Sequence, residues 1–370
     1  MPRVAAPSAD NALVTPMMLS VVLPNFNHAQ FLPFALDALL AQQRPADEII
    51  IVDDASTDES LEILGRYAQN SRGRIRILSN CTNLGALGAL QRGLDAALGR
   101  YVYFAAADDY VLPGFFTLAL SRLEEHPSAG LFCGDAILLD GEDGRVLGHR
   151  PAVRPLRQGG AMGPGDVADR LRTADNFILT GSAIIRRDAI VSRGGFDLRA
   201  GSFADGVLAR KIALGEGMVY EPRPMAAWNV FREGYSRTTA LDPAMAEQAL
   251  HDLPQLLSED PEIPAWYPAF FQRRWRFAAA RVAIEESSDP GDLLRQLVGA
   301  SAIDRVVIAA YCCAPRMPPA QWLMLAWLQL RLRPYRLVDL VLTALERRQQ
   351  RKHKPFVRQD KPTEPGKSGS

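Results

Sequence analysis

A chain of 370 residues and 40.6 kDa has room for two to three structural units at roughly 150 residues each, with a large buried core. Apolar residues make up 48% and charged residues 23%, which excludes a largely disordered or fibrous chain. The 42 basic and 42 acidic residues cancel, so the net charge leaves no footprint for nucleic acid, although 13 Lys or Arg against four acids gather in residues 305–370, a local charge of +9.

The four cysteines, Cys81, Cys133, Cys312 and Cys313, form no C-x-x-C pair, which argues against a disulfide framework or a zinc knuckle. The opening MPRVAAPSADNALVTPMM carries one Arg and no apolar run of signal-peptide length, so a cytoplasmic location is expected. Near the other end, AQWLMLAWLQL at 320–330 falls well short of the ~20 residues that cross a bilayer.

Beyond the leader, short apolar runs alternate with segments of helical periodicity. LSVVLP (19–24), EIIIVDD (48–54), RIRILS (74–79), YVYFAA (101–106) and AGLFCGDAILL (129–139) read as strands. Residues 29–43, 58–70, 84–98 and 113–126 read as helices between them, the second with Asp58 and Glu59 in its first turn. This alternation predicts an α/β fold with an open, mostly parallel sheet flanked by helices. The Gly- and Pro-rich stretch 140–175 reads as a surface excursion. Patterning returns at 177–190 and 203–217, and strand signals stop near 240, where helices over 244–258, 265–286, 289–300 and 319–352 follow, the last broken at Pro334.

Open sheets of this kind bind ligands at the carboxyl ends of their strands. Four such ends carry polar residues: PNFNHA (24–29), VDDASTD (52–58), the segment around Asn83 and Gly85, and Asp108 with Asp109. Pro24 is expected to end the first ladder, and Phe26 either packs in the core or offers its face to a base. His28 reads as a surface-turn residue. Ser56 or Thr57 is expected to cap the following helix, leaving Asp53 and Asp54 free of capping duty. A carboxylate is acceptor-only, so Asp54 suits the imide N–H of uracil. Asp108 and Asp109 form either an exposed acidic turn or a pair that meets a ribose and a hard divalent cation, Mn²⁺ or Mg²⁺.

PNFNHAQFL, EIIIVDDASTD and NLGALGALQRGLDAALGRYVYFAAADD, in that order, resemble the nucleotide-binding half of family 2 glycosyltransferases, which have the GT-A fold. The resemblance covers 19–125 closely and 175–240 more loosely. It implies nucleotide contacts from Pro24, Phe26, Asp54 and Asp108 and metal contact from Asp109. It also implies a general base in the segment GGFDLRAGSFADGVLARKIALGEG (194–217), where Asp205 holds the matching position; read without it, Asp205 is an N-terminal helix residue. Arg232 and Arg237 in NVFREGYSRT (229–238) then become candidates for diphosphate contacts. The chain departs from the pattern at Ala106, where many members have Asp, at Gln91, where Asn is frequent, and at Ala204, which is often Glu.

The organisation this implies is a leader (1–17), a transferase domain (18–240) with a nucleotide-binding half (18–125) and an acceptor half (126–240), a helical region (241–355) and a disordered tail (356–370). The expected reaction is inverting transfer of a sugar from a nucleotide-sugar donor, UDP-linked, to a glycan or lipid-linked acceptor in cell-surface polysaccharide biosynthesis. A silent relative that binds nucleotide or scaffolds a glycan-assembly complex is the alternative, to which Ala106 is the one pointer. Leu and Trp beside RRQQRKHK (347–354) fit either a helix lying on the inner membrane face or a packed appendage with a solvated basic end.

Overall fold

The central strands form where the sequence is apolar without interruption. LSVVLPN makes β1 (Leu19–Asn25) and EIIIVD makes β2 (Glu48–Asp53), both buried almost throughout, as strands covered on both faces require. The computed structural model describes residues 18–231, 241–287, 289–299, 301–315 and 317–353, apart from the side chains of 349–353. The expected leader over 1–17, the tail over 356–370, and Arg232 and Arg237 lie outside the described residues.

Helix α1 (Leu32–Leu40) joins β1 to β2, α2 (Ser60–Asn70) leads to β3 (Ile75–Ser79), and α3 (Gly85–Ala96) leads to β4 (Tyr101–Phe104). These four strands pair in parallel in the order β3-β2-β1-β4. After β5 (Tyr110–Val111) and α4 (Phe115–Glu125) comes β6 (Leu131–Asp140), which does not join β4 directly. β9 (Ala183–Arg186) lies between them, antiparallel to both, so the sheet is mixed rather than parallel throughout. β10 (Met218–Val230) runs parallel to β6 and closes the order against β5.

Two cores cover the faces. Leu19, Val21, Leu23, Leu36 and Phe115 pack on one side, and Val22, Ile50, Val52 and Leu94 on the other. α3 lies directly on the sheet because Gly93 has no Cβ, which would collide with Val22. α7 (Ala204–Glu216) packs against the same face through Val207, Leu208 and Ile212.

Three local features differ from the sequence reading or add to it. Pro24 does not end β1, since Asn25 still pairs with Asp53. β4 has left the ladder opposite Val22, so no strand on that side needs the N–H that proline lacks. Residues 218–230, which carry Pro222 and Pro224, form a strand whose register shifts between Glu221 and Ala226 absorb the prolines. The stretch 140–175 lies largely at the surface, as expected, but it is ordered, supplying β7 (Val146–Arg150), β8 (Gly160–Met162) and α5 (Pro164–Leu171). Arg154 within it is buried, with Nε and Nη2 donating at 2.9 and 2.6 Å to Oδ2 of buried Asp135.

Beyond the sheet follow α8 (Pro243–Ser258), α9 (Tyr267–Glu286), α10 (Gly291–Val298), α11 (Ala302–Cys312), α12 (Pro318–Leu332) and α13 (Leu337–His353). The helices from α8 to α12 share a core that includes Ala246, Trp275, Leu294, Leu297, Ile308, Met324 and Leu328. Among the described residues no helix is long and apolar enough to cross a membrane. A polar clamp ties α9 to α7: the Tyr267 hydroxyl donates to Asp175 at 2.8 Å, and Arg210 of α7 donates to the same carboxylate.

Candidate active site

The first two loops past the sheet are tied to each other side chain by side chain. Asn25 Nδ2 donates to Asp53 Oδ1 at 2.8 Å and to Ser56 Oγ at 3.1 Å. The Asn27 N–H meets Ser56 Oγ at 3.0 Å, and Asn27 Oδ1 accepts from the Thr57 N–H at 2.8 Å. Ser56 and Thr57 therefore brace the neighbouring loop instead of capping α2, whose first turn is held by Asp58 accepting from the Ser60 N–H. Asp53 has turn duty after all, since its Oδ2 accepts from the Ser56 N–H at 3.2 Å. Asn27 and Ala55 both take positive φ, 55° and 63°, and for alanine that is strained backbone held in place by this network.

Beside this braced pair of loops stand the aromatic and the carboxylate that the sequence singled out. The Phe26 ring is 41% exposed, so it is a free face and not a core residue. Asp54 is buried, and both of its hydrogen bonds, from Asn80 Nδ2 at 2.6 Å and the Leu84 N–H at 2.9 Å, fall on Oδ1. Asn80 is held in turn by Arg92 of α3. Asn83, by contrast, is a turn residue, accepting from the Gly85 N–H at 2.8 Å.

Asp108 and Asp109 stand on the turn between β4 and β5. The backbone N–H of Asn229, near the end of β10, donates to Asp109 Oδ1 at 2.8 Å, and the Asn229 side-chain amide donates to the Asp108 carbonyl. Burial and the charge of Asp108 push the Asp109 carboxyl well above the usual carboxylate range, with the Asn229 N–H pulling the other way. Two adjacent carboxylates suit a hard divalent cation, which Asp109 and Asp108 would hold together with phosphate oxygens and water. Among the described residues no group of three or more His, Cys, Asp and Glu is placed to hold a metal alone.

The base candidate lies on the far side of β4. Asp205 sits in the first turn of α7, half-buried, its Oδ2 accepting from Thr180 Oγ1 at 2.5 Å and its Oδ1 from the Gly206 N–H at 2.6 Å. Tyr103 of β4 donates to the Gly181 carbonyl at 3.1 Å, in the turn that carries Thr180. Burial first, and the Asp109 charge second, raise the Tyr103 pKa, so this phenol stays neutral. Phe104 and Phe196 stack edge to face at 5.0 Å, pinning the preceding turn. That turn needs glycine at Gly194 and Gly195 (φ 78° and 79°), and Gln91 Oε1 accepts its Phe196 N–H at 3.1 Å. Asp197 is committed to Arg199, whose guanidinium holds its carboxyl below the usual range.

Phe231, at the root of the segment holding Arg232 and Arg237, stacks on Phe31 at 5.2 Å beside the Phe26 loop. Sequence reasoning missed Asn80, Thr180, Trp228 and Asn229. Of these Asn80 had a readable signal, as the first polar residue after β3. Asn229 could not be found without recognising β10. Trp228 Nε1 is buried against Gly181, next to the turn that carries Thr180, with no hydrogen-bond partner among the described residues.

Residues 20–193 match the model of Glycosyl transferase family 2. The chain is 41% identical over 174 residues to the uncharacterized glycosyltransferase YibD of Escherichia coli (47% of this chain, 49% of that one). It is 36% identical over 123 residues to a PGL/p-HBAD biosynthesis glycosyltransferase of Mycobacterium tuberculosis (33% and 47%). The chain thus spans about half the length of the curated relatives it matches. Among solved structures, S. aureus TarS 1-349 in complex with UDP-GlcNAc aligns with TM-score 0.57 over 92% of this chain and 93% of that one at 14% identity, a likeness of fold. Its complex with UDP aligns at 0.54 with 16% identity over the same shares.

Proposed function

The segment 20–193 belongs to glycosyl transferase family 2, and from that membership we propose that the chain moves a sugar, with inversion, from a UDP-linked donor to a glycan or lipid-linked acceptor in cell-surface polysaccharide biosynthesis. The observation that supports this reading is that Tyr103, whose phenol feels the Asp109 charge, donates to the Gly181 carbonyl, next to the Thr180 hydroxyl that donates to Asp205.

In this reading the uracil lies on Phe26 and its imide N–H meets Asp54, whose position is fixed by Asn80 and the Leu84 amide. Pro24 shapes the end of β1 on which that pocket stands. Asp108 faces the ribose and Asp109 the cation and diphosphate. A bound divalent cation would neutralise charge on the departing diphosphate. Arg232 and Arg237 are proposed as contacts to the same phosphates.

Asp205 is proposed to take the acceptor hydroxyl proton as that oxygen attacks C1. Thr180 orients the carboxylate through its hydroxyl and the Gly206 amide holds the other oxygen, so one face remains for the acceptor. The exposed apolar stripe of the carboxyl-terminal helices, with the basic charge around it, supports peripheral contact with the inner membrane face.

The test is donor turnover by purified protein over a panel of nucleotide sugars with Mn²⁺, with product stereochemistry read by NMR. Release of UDP from one donor, metal-dependent and with an inverted anomer, is the expected result. No turnover with any donor, together with no UDP binding, would overturn the reading.

A further inference from the structure

Away from the strand ends, a cavity of about 90 Å³ opens between α5 and the start of α13, lined by Arg154, Thr173, Phe177, Arg170, Arg336 and Asp339 among others. At about 90 Å³ the cavity has room for a group the size of a phosphate. Its charge is one-sided. Asp135, held by Arg154 of the lining, also accepts from Arg347 and from the Tyr220 hydroxyl. Arg170 and Arg336 form no side-chain hydrogen bond or ion pair among the described residues, and Asp339 is the one carboxylate facing them. The amino end of α13 begins beside the cavity and adds its dipole.

The same helix shows what carries the anion. α13 is clamped on one edge: Arg347 donates to the Pro151 carbonyl at 2.5 Å, Glu346 pairs with Arg157 at 2.9 Å, and buried Thr343 accepts from the Arg154 N–H at 3.3 Å. On its opposite edge Leu337, Val341 and Leu345, spaced i, i+4, i+8, are each more than half exposed, and Val338 lies beside them. An apolar stripe thus starts one residue after Arg336. We propose that the cavity binds a phosphate group borne by a lipid, with Arg170 and Arg336 on the phosphate oxygens and the α13 stripe against the hydrocarbon. This deepens the surface-bound reading above and rests on it.

The test uses the full chain and two double variants, Arg170→Gln/Arg336→Gln and, as a control that removes the same charge outside the cavity, Arg66→Gln/Arg305→Gln. In flotation, wild type is expected to bind phosphatidylcholine vesicles that contain phosphatidic acid and to ignore those that do not. The cavity variant should lose roughly tenfold or more of that binding and the control should keep it. Equal loss in both variants, or none in the cavity variant, overturns the proposal. Sodium phosphate without lipid is expected to raise the Tm of wild type and the control but not of the cavity variant. A phosphate effect without any vesicle binding overturns the lipid as its source. UDP binding with Mn²⁺, measured on the same proteins, is expected to be unchanged; its absence in wild type would count against the transferase reading and leave the cavity result standing.

Discussion

Asn229 reaches across 120 residues of sequence to hold Asp109, its backbone N–H 2.8 Å from Oδ1, while its side chain holds the carbonyl of Asp108. The Asp pair therefore depends on β10 for its position as much as on its own turn. Asn229→Ala keeps the backbone donor and removes the amide. One hydrogen bond is worth about 1 kcal/mol net, so UDP affinity in Mn²⁺ should fall about fivefold in titration calorimetry. Asp109→Ala should abolish the Mn²⁺-dependent part of that affinity altogether. Equal UDP affinity for Asp109→Ala and wild type in Mn²⁺ would reject the metal assignment.

Phe26 offers a cleaner readout, because its ring is largely free of the core. Phe26→Ala should weaken UDP by about 1 kcal/mol, the worth of one aromatic contact, and leave Tm nearly unchanged. A large drop in Tm would show that the ring packs, and would return it to a structural role.

How much of this was legible in the sequence differs by element. The uninterrupted apolar runs of β1 and β2 announce buried parallel strands, and the mixed sheet with helices on both faces and a helical carboxyl-terminal region follows that reading. β10 was hidden by Pro222 and Pro224, because local pattern cannot foresee that a register shift will absorb them. The stretch around Arg154 looked like a loop because its order comes from one buried carboxylate, Asp135, contributed by a strand 19 residues earlier. At the site, residue types were readable and partnerships were not. Ser56 looks like a helix cap in sequence and serves as a brace between loops, since Asn25 and Asn27 are near it only in space.

The helical region carries its own buried charge. Asp304 is buried and accepts from Ser301 Oγ at 2.6 Å, Trp327 Nε1 at 3.2 Å and Arg331 Nε at 3.2 Å, joining α11 to α12. Burial alone would raise its pKa, but the bonds from Ser301 and Arg331 outweigh that and hold it below the usual carboxylate value. A depressed folded pKa means stability present at neutral pH and lost as pH falls from the unfolded value of about 3.9 through the folded one. Asp304→Asn should cost about 2 kcal/mol at pH 7, reduced from a fully buried pair because Arg331 is half exposed. In urea unfolding at neutral and acid pH the gap between variant and wild type should close as the acid range is entered. A gap independent of pH would mean that packing, not charge, holds the two helices.

Asp205 decides the mechanism. Single displacement at C1 requires that the acceptor lose its proton on the face opposite the departing diphosphate, and a carboxylate held apart from the nucleotide is suited to take it. Asp54 is fixed by Asn80 and Leu84, and Asp109 by Asn229, whereas Asp205 is oriented from the separate turn that carries Thr180. General-base catalysis contributes about 10²–10⁴-fold, so Asp205→Asn should lower kcat by about that factor with UDP affinity intact. Thr180→Val, which removes only the orienting hydroxyl, should lower kcat by a smaller factor of about ten and leave the binding of UDP unchanged. Asp197 is a poor substitute, being ion-paired with Arg199, and Asp197→Asn is expected to retain most of the turnover. An Asp205→Asn enzyme within a few-fold of wild type would move the base elsewhere. A retained anomer in the product spectrum would reject single displacement itself, since one inversion at C1 cannot return the starting configuration.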